Sequence, residues 1–227
     1  MFYQVNKNES YKHNNRNVFL DRKIFVAEFL GTSALLVSIN FLILLEQSNF
    51  TFGITIGLVL LTLIHLFGPI SGAHFNPLIT LGFVLNGNLK GKVFILSSYI
   101  FPQFLSSFLI LFYVNFTDMP QHYFNLWDPN LSNPTAELIG TFCLLLGIFE
   151  LSENGKLCPE TKPFTGIAVG CLLASILIVI SPFGMFIGNP LLLLIGIYGY
   201  LPADWFLIIV VNIIGGIIAY CAHRVLN

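Results

Sequence analysis

The chain has 227 residues, 56% of them hydrophobic and 9% charged, against roughly 25% charged in soluble domains. That balance excludes an ordinary soluble domain, and a net charge of −1 offers no electrostatic footprint for nucleic acid. The four cysteines, Cys143, Cys158, Cys171 and Cys221, have neither CxxC nor His-rich spacing, so no disulfide framework, metal site, cofactor or enzyme chemistry is expected.

Residues 1–23 are polar, basic and Asn-rich, and are expected to form a cytoplasmic tail. A secretory signal is not expected, because the apolar run that follows has the length of a full span and lacks a small-residue cleavage site. From residue 24 onward the sequence predicts one integral membrane domain, 24–227. A bilayer core takes about 20 apolar residues of helix, and six such runs occur: 24–45, 52–68, 93–114, 136–151, 165–181 and 205–222.

Orientation follows from the cations. Lys7, Lys12, Arg16, Arg22 and Lys23 precede the first span, and Lys90 and Lys92 the third. Lys156 and Lys162 lie between spans four and five, and Arg224 at the end of span six. The connections on the other side, 46–51, 115–135 and 182–204, contain no Lys or Arg. Basic residues collect on the cytoplasmic side, so both termini are expected there. Asn49, Asn115 and Asn130 stand in N-x-Ser/Thr patterns in the outer connections, which matter only in a cell that glycosylates.

Two stretches interrupt the apolar runs: GPISGAHFNPLITLG (68–82) and SPFGMFIGNPLLLL (181–194). A shift of 113 residues lays FGITIGLVLL (52–61) on TGIAVGCLLA (165–174), pairing Gly53 with Gly166, Gly57 with Gly170, and Asn76-Pro77-Leu78 with Asn189-Pro190-Leu191. A shift of 109 lays AEFLGT (27–32) on AELIGT (136–141) and Gln103 on Asn212. The halves are therefore about 24–114 and 134–222. Each has three spans, and an odd number turns the second upside down, an inverted repeat.

Asn is a favoured N-cap and Pro a favoured first helical residue. About ten apolar residues (77–85) follow Asn76 and about nine follow Asn189, too few to cross a bilayer. They are predicted to be half-helices whose N-termini meet near the midplane. Each N-terminus carries roughly +0.5 of a charge, which repels cations, while the Asn amides offer donors to a neutral solute. Those are parts of a narrow pore for uncharged molecules.

These features resemble the major intrinsic protein family, the aquaporins and glycerol facilitators: the doubled Asn-Pro, SGAHFNP, AEFLGT with AELIGT, and Gln103. The resemblance implies an all-α membrane channel of six spans and two half-helices, a homotetramer passing water or small neutral solutes. It implies that Glu28 and Glu137 are buried anchors for the pore loops; the residues alone also allow a proton relay in a coupled transporter. His74 matches the vestibule histidine, whereas His65 has no repeat partner. GxxxG spacing at Gly57 and Gly170 points to close helix packing.

The chain also departs from the family pattern. Leu78 and Leu191 replace the usual alanines, and Leu192 stands where the selectivity filter normally has arginine. The remaining filter positions correspond to Ile56, Leu177 and Phe186, so all four are apolar. The preferred expectation is a passive channel. A channel-fold protein with little conduction, serving adhesion or as a scaffold, is the alternative, since apolar constrictions can close by dewetting.

Overall fold

The computed structural model describes residues 20–89, 91–116, 133–152, 156–157, 163–184, 186–196 and 205–227. The tail before residue 20, Lys90, Cys158, Lys162 and Asn130 lie outside the described residues, as do 117–132 and 197–204 of the outer connections.

Helix α1 (Arg22–Leu44) begins where Asp21 caps it, accepting from the Lys23 and Ile24 amides. It therefore starts two residues before the span boundary read from the sequence. Helix α2 (Asn49–Ser71) is capped by Ser48 and ends at Gly72, whose φ of 95° reverses the chain. It runs through Pro69, three residues beyond the expected end. A proline so near the terminus costs only one ladder hydrogen bond. Helix α3 (Pro77–Leu85) is the first half-helix, with the bounds read from the sequence.

The third span is not one regular helix. A short α4 (Lys92–Ile95) passes through a π turn, Leu96–Ile100, into α5 (Phe101–Phe116). Pro102 explains the break: it lacks an N–H and its ring crowds the carbonyl four residues earlier, and a π turn makes room. The second half supplies α6 (Pro134–Leu151), α7 (Thr165–Ile180) continuing into a 3-10 turn (Ser181–Phe183), the half-helix α8 (Pro190–Gly196), and α9 (Trp205–Leu226).

Six helical segments among the described residues are long and apolar enough to cross a membrane. Large apolar side chains stand exposed along their outer faces, such as Leu30, Phe41, Leu58 and Val179. Apolar surface on that scale belongs in lipid rather than water. The buried stripes face inward onto the half-helices.

The most extensive contacts join α2 to α7 and α6 to α9. At the α2–α7 crossing a Cβ on Gly57 would lie 2.5 Å from the Gly170 carbonyl oxygen, and one on Gly170 would lie 2.6 Å from that of Gly57. The two repeat-related glycines thus let the backbones touch, as their spacing predicts. His65 belongs to the same seam: its ring covers Gly166, where a Cβ would come within 2.3 Å of it. The repeat thus reappears as two three-span halves joined face to face, an inverted-repeat membrane fold of six spans and two half-helices.

Candidate functional site

Each half-helix starts from an Asn-Pro pair, and the capping chemistry is the same in both. The Asn76 side-chain oxygen accepts from the Leu78 amide at 2.9 Å, and that of Asn189 from the Leu191 amide at 3.1 Å. The side-chain nitrogens cross over: Asn76 Nδ2 donates to the Gly188 carbonyl at 2.9 Å, Asn189 Nδ2 to the Phe75 carbonyl at 3.1 Å. Each asparagine therefore holds the residue that precedes its counterpart. An amide group has two donors, and one of each is committed to this brace.

The first of the loops entering these caps is strained. Ala73 and Phe75 have φ of 53° and 50°, a region non-glycine residues seldom occupy. Glu28, wholly buried on α1, holds them there by accepting from the His74 amide at 3.1 Å and the Phe75 amide at 2.8 Å. It also accepts from Ser71 Oγ at 2.6 Å and from Gln103 Nε2 at 2.8 Å. Glu137 on α6 does the same for the second loop, accepting from the amides of Ile187 and Gly188. Ile187 and Gly188 are the repeat counterparts of His74 and Phe75. Both carboxylates face backbone donors, the geometry of an anchor.

The expected pore residues come together. Ile56, Leu177, Phe186 and Leu192 line one narrow cavity of about 70 Å³, together with His74, Asn76 and Asn189. That volume holds a short file of water-sized molecules. The rest of its wall is almost entirely apolar, from residues such as Leu35, Ile39, Leu60 and Ile148. It shares Ile43, Phe52, Leu177 and Phe186 with a second, wider cavity of about 250 Å³, whose rim carries Glu46, Gln47, Asn49 and Ser181. Asn49, one of the N-x-Ser/Thr asparagines, is exposed there as the first residue of α2. His74 is buried, stacked between Phe83 and Tyr99 with both centroids at 4.8 Å, and its Nδ1 lies 3.2 Å from Thr80 Oγ1. Leu78 is partly buried and Leu191 fully so. Pro77 and Pro190 occupy the first turn of α3 and α8.

Six membrane-length helices, two Asn-capped half-helices braced against each other and a lumen between them agree with what comparison with known proteins finds. The major intrinsic protein profile matches residues 15–223. This chain belongs to the major intrinsic protein family. A probable glycerol uptake facilitator protein of Thermotoga maritima is 31% identical over 192 residues, covering 74% of this chain and 76% of that protein. Nodulin-26 of Glycine max is 32% identical over 161 residues, 68% of this chain and 56% of its own length. Aquaporin-5 of Rattus norvegicus is 28% identical over 160 residues, 68% of this chain and 58% of its own. The protein is thus a multi-pass integral membrane protein of a family of passive channels for water and small solutes, and that is its function class.

Some of the site was not read from the sequence. Ser107 Oγ donates to the Leu191 carbonyl at 2.8 Å, and Tyr99 OH to the Ser71 carbonyl at 2.9 Å. Both tie half-helix or loop backbone to the third span. Neither serine nor tyrosine stands out in an apolar helix, and only the polarity of SSYI and LSSF hinted at them.

Proposed function

We propose that the cavity lined by Ile56, Leu177, Phe186 and Leu192 is the selectivity filter of a passive channel for small neutral solutes that carry a carbon edge, such as glycerol, and that water passes slowly. The observation that carries this reading is the wall itself: four apolar side chains where arginine and other donors would otherwise replace a solute's water. Losing one uncompensated hydrogen bond costs roughly 1–3 kcal/mol, about ten- to hundredfold in passage rate. Water has no carbon edge to lay against that wall, so nothing offsets its loss. A polyol with a carbon edge keeps that edge against Phe186 and Leu192 and turns its hydroxyls to the remaining amide donor of Asn76 or Asn189.

In this reading Asn76-Pro77-Leu78 and Asn189-Pro190-Leu191 form the central gate against cations, by the two helix N-termini that meet there. His74 lines the cytoplasmic approach. Glu28 and Glu137 fix the loops and are not stations of a proton relay. The channel domain comprises 24–227 with 1–23 as a tail, both termini lie in the cytoplasm, and the protein sits in the cell membrane as a homotetramer. The charge asymmetry and the exposed apolar flanks support that arrangement.

Proteoliposomes challenged with glycerol in a stopped-flow instrument test the reading. Glycerol entry above the rate of protein-free vesicles, unchanged by an imposed proton gradient, is expected. Gradient-driven accumulation would establish the coupled transporter instead, and no glycerol entry at all would favour the non-conducting scaffold.

A further inference from the structure

The three residues before each pore asparagine include one phenylalanine, in exchanged positions. In the first loop Ala73 and Phe75 flank His74; their repeat counterparts in the second loop are Phe186 and Gly188. The backbones at the second of these positions match, with φ of 50° at Phe75 and 54° at Gly188. Phe75 is fully buried over Gly31 of α1, where a Cβ would lie 2.0 Å from its ring. Gly140 of α6 is the counterpart of Gly31, and a Cβ there would lie 2.6 Å from the ring of Phe186. A Cβ on Gly188 would also meet that ring, at 2.4 Å. Both glycine niches are therefore filled by a ring, but from different loop positions.

The exchange has a consequence for the lumen. Phe75 lines neither the narrow cavity nor the wider one, whereas Phe186 lines both. Its ring edge rests in a pocket made by two residues with no side chain, one of them on a helix that contributes Gly140 to no wall of the lumen. We propose that Gly140, with Gly188, is a positioning determinant of solute size: it receives the Phe186 ring and so fixes how far that ring stands into the passage. This rests on the cavity being the conduction path. A side chain at position 140 must displace the Phe186 ring together with Ile180 Cδ1, which a Cβ there would approach to 2.6 and 2.7 Å, and of the two only the ring stands in the lumen wall.

The test compares Gly140→Ala, Phe186→Ala, their double variant, and the exchange Phe186→Ala with Gly188→Phe, all in proteoliposomes with glycerol, urea and xylitol. Gly140→Ala is expected to lower glycerol entry by about tenfold, the lower end of what one added methyl does in a fitted apolar pocket, and urea entry less. In the Phe186→Ala background the same change is expected to lose most of that effect, because only Ile180 is then crowded. The exchange refills the niche as the first half does and is expected to admit xylitol, which the unmodified protein is expected to exclude. An equal fall for every solute, or a fall or loss of folded protein that Phe186→Ala does not relieve, would overturn the proposal. If the unmodified protein passes no glycerol, the conduction reading falls by itself. The niche is then judged by crystal structures of the protein with and without Gly140→Ala, where an unmoved Phe186 ring refutes it and a ring displaced toward Leu177 upholds it.

Discussion

The two halves of the molecule solve the same problem with unequal resources. In the first, Glu28 collects two loop amides, the Ser71 hydroxyl and the Gln103 amide. In the second, Glu137 collects two loop amides. Asn212, the counterpart of Gln103, lies against Glu137 but is one methylene shorter, and its nitrogen is left without a close partner. Its oxygen instead accepts from Thr141 Oγ1. The equivalent pair in the first half, Thr32 Oγ1 and Gln103 Oε1, is buried and not closed. One side chain per half is thus spent differently: Gln103 on the carboxylate, Asn212 on the neighbouring threonine. The first loop, with two non-glycine residues at positive φ, needs the stronger hold; the second, with glycine at 184 and 188, needs less.

The largest expected effect comes from removing the anchors. Glu28→Ala orphans the His74 and Phe75 amides and takes an acceptor from Gln103 Nε2 and Ser71 Oγ, which keep only Thr80 Oγ1 and, at 3.5 Å, the Phe67 carbonyl; Glu137→Ala orphans two amides. At roughly 1–3 kcal/mol for each buried unsatisfied donor, the first change approaches the whole stability of a domain, about 5–15 kcal/mol. Folded yield in detergent, followed by size-exclusion chromatography, should therefore fall further for Glu28→Ala than for Glu137→Ala. Equal losses would erase the asymmetry.

Next comes the seam between the halves. Gly57→Leu places a side chain against the Gly170 carbonyl, and overpacking of this kind costs about 1–3 kcal/mol or more. Thermal unfolding should shift down, and Gly170→Leu should do the same by a similar amount, because the contact is reciprocal.

Leu192→Arg replaces a buried apolar side chain of the lumen wall and adds donors there. Its ratio of water to glycerol permeability should rise by about tenfold, the value of one regained hydrogen bond. Unpaired guanidinium strain would show separately, as lower thermal stability.

The smallest effect sharpens the comparison most. Asn212→Gln lengthens the side chain so that it reaches Glu137 as Gln103 reaches Glu28, and a gain of about 1 kcal/mol is expected in thermal unfolding. Gln103→Asn should lose at least as much. A loss in both would mean that the Thr141 bond matters more than the carboxylate contact.

Much of this architecture is legible in the sequence because it is periodic or local. Spans announce themselves by length, the half-helices by Asn-Pro before too short a run, and the Glu28–Glu137 pair by its place in the repeat. The bounds of α3 follow from the same logic. What was not legible depends on side-chain direction across the fold. The cross-brace of Asn76 and Asn189 needs the two loops facing each other. The π turn needs Pro102 to stay inside a continuing helix, where a sequence reader expects only a kink. The exchange of Phe75 and Phe186 is visible as letters, but its meaning rests on which ring finds Gly31 or Gly140. His65, without a repeat partner, makes sense only once Gly166 is seen beneath it.

The most direct test of the apolar filter sets water against glycerol in the same vesicles. Proteoliposomes of the unmodified protein are shrunk with sucrose and then with glycerol, alongside protein-free vesicles. The apolar wall at Ile56, Leu177, Phe186 and Leu192 predicts glycerol entry well above the protein-free rate with only a modest gain in water flow. Water conducted at the rate of a dedicated water channel, with glycerol left at the protein-free rate, would contradict it.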